Sequence, residues 1–194
     1  FEYSNCVTFL LSAIIQKATK QKTFDFIKQH LFRPLRITGV SWVAAPNGVS
    51  VGYGGMWLKP HDMAKIGWLY LNNGRWDGQQ IISEKWVAGS TSKQINATLY
   101  DGYGYQWWVS YDKFYAAVGH RGQFIYVLPR QNMVVVFTSS LEGADFFIPE
   151  NLLDRYLVSA AKSETPLPEN PEQMNRLNSY VREGAVSRPY IWKT

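Results

Sequence analysis

Residues 114–139 read FYAAVGHRGQFIYVLPRQNMVVVFTS, and their pattern decides the fold. Apolar runs alternate with short polar or glycine-containing segments, as expected for neighbouring strands. Pro129 begins a four-residue segment that suits a hairpin turn. With one preceding run, the predicted strands cover residues 105–109, 114–118, 123–128 and 133–139. Short connections between successive runs predict an antiparallel sheet.

Helical patterns lie on both sides of these strands in the sequence. From Asn5 to about Thr19, apolar residues recur at helical spacing, which predicts a helix with one buried stripe: Val7, Leu10, Leu11, Ile14, Ile15 and Ala18. Cys6 lies beside this stripe, so we expect a buried thiol. Further helices are predicted over about 23–31, from Pro60 to Asn73-Gly74, after an N-cap at Ser83, and from Pro149 to about 160. An antiparallel sheet flanked by helices is an α+β fold.

Composition changes after Lys162. Residues 164–171 read ETPLPENP, which is typical of a linker, and a weak helical pattern follows. The sequence therefore predicts one domain over residues 1–162 and a linker with a C-terminal extension over residues 163–194. Residues 38–58, rich in glycine, proline and tryptophan, are predicted to form a loop that wraps a site.

Charge and composition exclude several classes of protein. The net charge is +5, but the basic residues are dispersed, so no nucleic-acid partner is predicted. No run of about 18 apolar residues occurs, so no membrane-spanning segment is predicted. The single cysteine excludes an internal disulfide, and no metal or cofactor is predicted. Eight Trp, twelve Tyr and ten Phe exceed what a core alone requires, and such a surplus often lines a cleft that holds a partly apolar small-molecule ligand.

Two short motifs contain the candidate catalytic residues. Tyr3-Ser4-Asn5 stands at the entrance of the first helix, and Gly119-His120-Arg121-Gly122-Gln123 stands far downstream between two predicted strands. A second Tyr-x-Asn, at Tyr70, is explained by a helix end. Three Ser-x-x-Lys segments begin at Ser90, Ser110 and Ser159, but none is at a helix start, where a serine nucleophile would meet its lysine one turn on. We interpret these three as coincidental.

In this order and setting, the two motifs resemble the second and third active-site motifs of the serine β-lactamase and penicillin-binding-protein family. The resemblance extends to LFRPL at 31–35, GGMWLKPHDMA at 54–64, WDG at 76–78 and YGYQWW at 103–108. It is nearest to the class C branch, which also holds D-alanyl-D-alanine peptidases, carboxylesterases and aminohexanoate-oligomer hydrolases. It implies a β-lactamase/transpeptidase-like fold whose N-terminal part, with its Ser-x-x-Lys motif, lies upstream of Phe1. It also favours a periplasmic or secreted location.

The resemblance implies acyl transfer through a serine ester, on an ester, amide or peptide-like substrate. Tyr3 and the upstream lysine would shuttle the proton, and Asn5 would bind that lysine and the substrate amide. Gln123 would give its backbone N–H as the second oxyanion donor. His120, where the family often has lysine, would position Tyr3 or contact the leaving group, or would be a strand-end histidine facing solvent.

The third motif departs from the family pattern of lysine, a hydroxyl residue and glycine. His120, Arg121 and Gly122 therefore alter the groups that grip a β-lactam carboxylate. Arg121 would take over from these groups and bind a substrate carboxylate with its two guanidinium N–H groups, or the alternation of side chains along the strand would point it away from the site. Trp107, Trp108 and Tyr105 are candidate walls of the substrate cleft or members of the core.

The leading hypothesis is a C-terminal portion of a serine hydrolase that is inactive by itself and needs the upstream segment of the same protein. The alternative is a non-catalytic binding module that keeps the same fold. A second enzymatic alternative uses Cys6 with a histidine.

Overall fold

The computed structural model describes residues 1–163 and 168–185. Residues Phe1–Ala160 form one compact unit, and a second unit follows it. The helices are α1 (Asn5–Thr19), α2 (Thr23–Ile27), α3 (Pro60–Leu71), α4 (Glu84–Thr91), α5 (Ile148–Leu152) and α6 (Pro171–Ala185). Wider helical turns extend α2 over Lys28–Phe32 and α5 over Leu153–Val158. The predicted helices are thus present, and Ser83 Oγ caps α4 by accepting from Trp86 N at 3.2 Å.

Five antiparallel strands form the main sheet in the order of the sequence: β5 (Gly102–Tyr103), β6 (Trp108–Ser110), β7 (Phe114–Gly119), β8 (Gln123–Leu128) and β9 (Met133–Phe137). Two small hairpins precede it: β1 (Ser41–Trp42) with β2 (Met56–Trp57), and β3 (Arg75–Trp76) with β4 (Gln79–Gln80). Tyr126 pairs with Ala116 on one side and Val135 on the other. The predicted α+β fold with an antiparallel sheet is confirmed.

The sheet is covered on both faces because its apolar side chains alternate. On one face Phe124, Tyr126 and Leu128 pack with Leu153 from the C-terminal helical segment. On the other face Ile125 and Val127 pack with Met63 and Ile66 of α3. A third cluster joins Leu69 of α3 to Phe32, Leu35 and Ile37. Helix, sheet and helix therefore form three layers.

The prediction for the buried face of α1 was wrong. Val7, Leu10, Leu11 and Ile14 are 49%, 59%, 43% and 59% exposed, and Cys6 is exposed as well. The side that faces the rest of the unit is mixed, with Phe9 and Ile15 half-buried and Ser12 buried, and the Ser12 backbone carbonyl accepts from Thr23 Oγ1 at 2.7 Å. Helical spacing identifies which apolar residues share a face of the helix, but it does not show what covers that face. Among the described residues, nothing covers most of the stripe.

Three local predictions also need correction. The 38–58 segment is not wholly a loop, because β1 and β2 pair within it and Ala44 bridges Ser50. The run 105–109 is not one strand: Gln106 has φ +67° in a turn between β5 and β6. The run predicted over 133–139 ends at Phe137.

The second unit includes α6, whose residues 171–184 are exposed along their whole length. Of the predicted linker and extension, residues 164–167 and 186–194 lie outside the described residues. Within the described part of the chain, no helix is long and apolar enough to cross a membrane. Nor does any group of three His, Cys, Asp or Glu side chains come together there as a metal site.

Candidate active site

The entrance of α1 holds Tyr3 and Asn5 at one end of the sheet, where β5 ends and β6 begins. Ser4 is the N-cap, with an extended backbone, so Tyr3 projects before the first turn. The Tyr3 ring stacks on Trp108 at 5.8 Å and meets Tyr103 edge-on at 6.2 Å. Both partners are buried members of β5 and β6, so this aromatic cluster fixes where α1 begins relative to the sheet.

The turn between β7 and β8 brings His120 to the same end of the sheet. Gly119 pairs with Gln123 at the end of the two strands, and His120 is exposed in the turn. Gly122 closes this turn at φ +88°, and an added Cβ would collide with Ser139 Oγ. Ser139 Oγ in turn donates to the Gly122 carbonyl at 2.7 Å. Only glycine satisfies both the left-handed backbone and the close approach.

A third wall comes from the segment between β1 and β2. The indole N–H of Trp42 is shared between the carbonyls of Val51 and Gly54, at 2.8 and 3.0 Å. Gly52 lies so close to the Thr8 carbonyl of α1 that a side chain there would collide with it. Tyr53, Gly54 and Gly55 of this segment line the same space as Tyr3 and His120.

The three walls enclose a cleft of about 630 Å³. Its lining residues are Tyr3, Asn5, Tyr53, Gly54, Gly55, Trp108, Val118, Gly119, His120 and Phe146. Tyr3, Asn5 and His120, predicted from two motifs far apart in sequence, therefore lie in one cleft. None of these lining residues is Lys, Arg, Asp or Glu, so the walls offer aromatic surface and neutral polar groups.

Two wall residues were missed by the sequence reasoning. Tyr53 stands in a segment without periodicity, and its only signal was the glycine-rich setting that suggested a wrapping loop. Phe146 lies in a single 3₁₀ turn, Gly143–Phe147, and packs against Phe124 at 5.3 Å. Neither position has a local pattern that distinguishes a wall from the core.

Two other predicted residues do not face the cleft with their side chains. Arg121 has φ +60° and forms an exposed ion pair with Glu142, which leaves the carboxylate-fork role without support. The Gln123 side-chain amide donates to the Ser139 carbonyl. Its backbone N–H remains the group of interest for an oxyanion, at the first position of β8.

Trp107 and Tyr105, named as candidate walls or core residues, are not among the residues that line the cleft. Trp107 is 5% exposed and packs on the α3 side of the sheet against Tyr70 and Tyr115. Its neighbour Trp108 points to the opposite face, because side chains alternate along a strand. Tyr105 is in the β5–β6 turn and stacks on Trp86 at 5.5 Å.

Burial changes the chemistry of the phenol beside Tyr3. Desolvation, with a further contribution from the neighbouring Tyr3, raises the pKa of Tyr103 to about 12. The Tyr103 hydroxyl donates weakly to Gln106 Oε1 at 3.5 Å. Tyr103 therefore stays neutral at ordinary pH and acts as an aromatic support for Tyr3.

The three serines interpreted as coincidental, and the Cys6 thiol of the second enzymatic alternative, lie outside the cleft lining. Ser90 is fully buried and donates to the Val87 carbonyl at 3.1 Å. Ser159 donates to the Arg155 carbonyl at 2.7 Å, and Ser110 to Asp101 at 3.3 Å. Cys6 follows Asn5 but does not line the cleft. Among the described residues, the cleft lining thus contains a phenol and an imidazole but no Ser or Cys.

Comparison with known proteins shows which family and relatives the chain is similar to. Residues 1–158 match the model of the family described as Beta-lactamase. The 6-aminohexanoate-dimer hydrolase of Paenarthrobacter ureafaciens is 24% identical over an alignment of 158 residues. The alignment covers 75% of this chain and 40% of that protein.

Solved structures share the fold. A Bacillus anthracis protein with the provisional name 6-aminohexanoate-dimer hydrolase superposes with a TM-score of 0.70 at 23% identity, over 83% of this chain and 43% of the other. The penicillin-binding protein of Bacillus halodurans gives a TM-score of 0.64 at 16% identity, over 80% and 56%. The chain therefore spans about 40% of the length of the curated relative that it matches.

Proposed function

The chain belongs to the β-lactamase family of hydrolases, and from this membership we propose that it supplies one side of the active site of a serine hydrolase that works through an acyl-enzyme. The observation that carries the proposal is the shared cleft of Tyr3, Asn5 and His120. A nucleophilic serine and its lysine, on a segment upstream of Phe1, would complete it.

In the proposed chemistry, the upstream segment supplies the serine and the lysine, and this chain supplies Tyr3, Asn5 and the Gln123 backbone. The serine attacks the substrate carbonyl, while Tyr3 and the lysine accept its proton and return it to the leaving group. Asn5, at the start of α1, would hold the lysine and the substrate amide. The Gln123 backbone N–H would stabilise the developing oxyanion, where the loss of one donor typically costs about 10²- to 10³-fold in rate. Water then hydrolyses the acyl-serine ester.

The partner of this chain, on this proposal, is the segment that carries the nucleophile. The exposed apolar stripe of α1 supports it, since Val7, Leu10 and Ile14 begin directly after the motif residue Asn5. Exposed apolar patches of this kind mark contact surfaces. An upstream segment packed on α1 would bring its serine to the same end of the helix as Tyr3.

The proposed substrate is a neutral or weakly charged ester or amide in preference to a penicillin. A β-lactam carries a carboxylate, and the cleft lining has no Lys or Arg to bind it. Arg121, the nearest basic residue in the motif, is paired with Glu142. Tyr53, Trp108 and Phe146 would instead pack against an apolar acyl or leaving group.

The test compares residues 1–194 with the longer polypeptide translated from the same reading frame. The longer form should give a burst of p-nitrophenol from a short-chain ester and a mass increase equal to the acyl group, and the 194-residue chain should give neither. The kcat/KM of the longer form for the ester should exceed its kcat/KM for a chromogenic cephalosporin by about tenfold or more. His120→Lys should narrow this ratio, whereas His61→Lys, outside the cleft lining, should not.

Two results would overturn the proposal. One is turnover by the 194-residue chain that disappears in Ser159→Ala. The other is a longer polypeptide without Ser-x-x-Lys that binds ligand without turnover, which would establish a binding module.

A further inference from the structure

A second pocket lies between the end of α3 and the β3–β4 hairpin. Its volume is about 350 Å³, and it is lined by Trp68, Asn72, Arg75, Trp76, Asp77 and Gly78. None of these residues lines the cleft. The volume is near the lower end of the range for small-molecule sites, about 300–1,000 Å³, so it suits a ligand of one or two rings.

The apolar surface of this pocket comes from two indoles. Trp68 is 42% exposed and is absent from the core clusters of the described residues. Trp76 packs against the cluster around Leu69 with part of its surface. The other lining residues include no aliphatic side chain, so the apolar surface that a ligand meets is flat and aromatic.

The polar groups of the pocket are held by hydrogen bonds within the chain. Asn72 Nδ2 donates to the Trp68 carbonyl at 2.8 Å, which leaves the amide Oδ1 as an acceptor. The Arg75 guanidinium donates to Gln80 Oε1 and to the Gly78 carbonyl, both at 3.3 Å. Because a guanidinium has five N–H donors, others remain for a ligand. Groups held in place in this way lose little rotamer freedom on binding.

The hairpin fixes the two walls of the pocket relative to each other. Asp77 and Gly78 have φ +46° and +78°, as in the two-residue turn that joins closely paired strands. Gln80 Nε2 donates to the Asn73 carbonyl at 2.7 Å, which ties the hairpin to the residues after α3. The indole N–H of Trp76 is buried without a hydrogen-bond partner in the described structure, and a ligand oxygen beside it would supply one.

The charges of the pocket favour a neutral, hydroxyl-rich ligand. Its lining has one basic and one acidic residue, Arg75 and Asp77, and the exposed ion pair of Asp77 with Arg36 is weak in water. A pyranose ring has an apolar C–H face that packs on an indole. Its hydroxyl groups both donate and accept, so they match an amide, a guanidinium and a carboxylate at once.

We propose that this pocket is a carbohydrate site that binds a neutral pyranose unit, with the C–H face of the sugar on Trp68 and its hydroxyl groups on Asn72, Arg75 and Asp77. The inference does not rest on the proposed function, because it concerns residues outside the cleft lining. A site of this kind would hold the chain on a carbohydrate while the cleft remains free for another group.

Nuclear magnetic resonance of the indole N–H groups tests the proposal on the 194-residue chain, because each of the eight tryptophans gives its own ¹H–¹⁵N signal. The probes are cellotetraose and maltotetraose, two neutral glucose oligomers that differ in linkage. At least one should shift the Trp68 and Trp76 signals saturably, with a Kd of about 1 mM or tighter. Trp57, which is 72% exposed and outside the pocket, is the internal control and should not shift.

Variants separate stacking from nonspecific contact. Trp68→Ala should weaken sugar binding by about tenfold or more, with Trp68→Phe between it and the parent chain, and Trp57→Ala should leave the Kd unchanged. The spread of the remaining indole signals shows whether each variant is folded. In the longer polypeptide, Trp68→Ala should leave kcat/KM for the p-nitrophenyl ester unchanged, since Trp68 does not line the cleft.

The other outcomes overturn the proposal. No shift with either sugar, or an equal shift of the Trp57 signal, rejects a carbohydrate site at this pocket. Tighter binding of tetragalacturonate, an anionic sugar oligomer, would make the pocket an anion site. An equal loss of binding in Trp68→Ala and Trp57→Ala removes the stacking role of Trp68. An inactive longer polypeptide that still binds the sugar rejects the proposed function alone.

Discussion

At the scale of the residue, position in the cleft separates Tyr3 from Tyr70, the tyrosine of the second Tyr-x-Asn segment. Tyr3 is half exposed and lines the cleft, whereas Tyr70 lies in the core against Trp107. Two Tyr-x-Asn segments with the same letters therefore have different environments. Of these two tyrosines only Tyr3 lines the cleft, where a reactive side chain would be accessible.

Replacing Tyr3 with phenylalanine in the longer polypeptide should lower the acylation rate by about 10²- to 10⁴-fold, the range for losing a positioned general base. The melting temperature should change little, because the ring still stacks on Trp108. Stopped-flow burst kinetics and thermal unfolding measure the two effects. Tyr105→Phe is the matched control, since Tyr105 stacks on Trp86 outside the cleft. An unchanged burst in Tyr3→Phe would make Tyr3 structural.

Gly122→Ala should destabilise the 194-residue chain by about 2–4 kcal/mol, because it combines a left-handed backbone with a collision at Ser139. Gly78→Ala separates the two causes. Gly78 has φ +78° but nothing within 4 Å of an added Cβ, so it should cost only about 1 kcal/mol. Urea unfolding of both variants measures the difference. Equal losses would show that Ser139 yields to the added methyl group.

At the scale of the element, α1 buries two polar side-chain atoms while most of its apolar stripe is exposed. Ser12 Oγ and Gln16 Oε1 are buried without hydrogen-bond partners in the described structure, while Leu10 and Ile14 face outward. Helices normally bury their apolar stripe, so this orientation is explained only if another surface covers the stripe. Close contact of Gly52 with the Thr8 carbonyl holds the helix in this rotation.

The double substitution Leu10→Gln and Ile14→Gln should therefore depend on context. In the 194-residue chain it should change the free energy of unfolding by about 0.5 kcal/mol or less, since both side chains are exposed. In the longer polypeptide it should cost about 3–5 kcal/mol, the loss of two buried aliphatic side chains. Leu177→Gln on α6, with a 55% exposed leucine, is the control and should be neutral in both. Equal effects in the two forms would contradict an interface on α1.

At the scale of the whole molecule, buried phenols link stability to alkaline pH. Burial raises the pKa of Tyr103 to about 12 and raises the pKa of Tyr100, Tyr115 and Tyr126 as well. A phenol with a raised folded-state pKa keeps its proton longer in the folded chain than in the unfolded one. Its stabilising contribution is complete below about pH 10, the unfolded value, and declines as the pH rises towards the folded value.

The urea midpoint of residues 1–194 should therefore fall between about pH 8 and about pH 11.5, in parallel with the appearance of tyrosinate absorbance. Tyr103→Phe should reduce this fall relative to its own midpoint at the lower pH. Tyr111→Phe should not, because Tyr111 is 58% exposed. A Tyr103→Phe variant with the same fall as the parent chain would assign the effect to other groups.

The sequence by itself determined the elements and the family resemblance. Helical spacing from Asn5 and the short apolar runs from Phe114 to Phe137 identify α1 and the last three strands, because these patterns depend on local backbone geometry. Motif order predicted Tyr3 with His120, and both line one cleft. Turns were harder: Tyr105 and Gln106 have strand-like neighbours but form the β5–β6 turn.

Only the tertiary structure decided which side of each element is covered. Trp107 and Trp108 are adjacent aromatic residues, yet one belongs to the α3-side core and the other to the cleft, since the strand's rotation is set by its pairing with β7. The stripe of α1, the thiol of Cys6 and the pairing of Arg121 with Glu142 depend equally on distant contacts. Periodicity specifies that side chains share a face, whereas burial is a property of what packs against that face, and a single sequence pattern does not contain the partner.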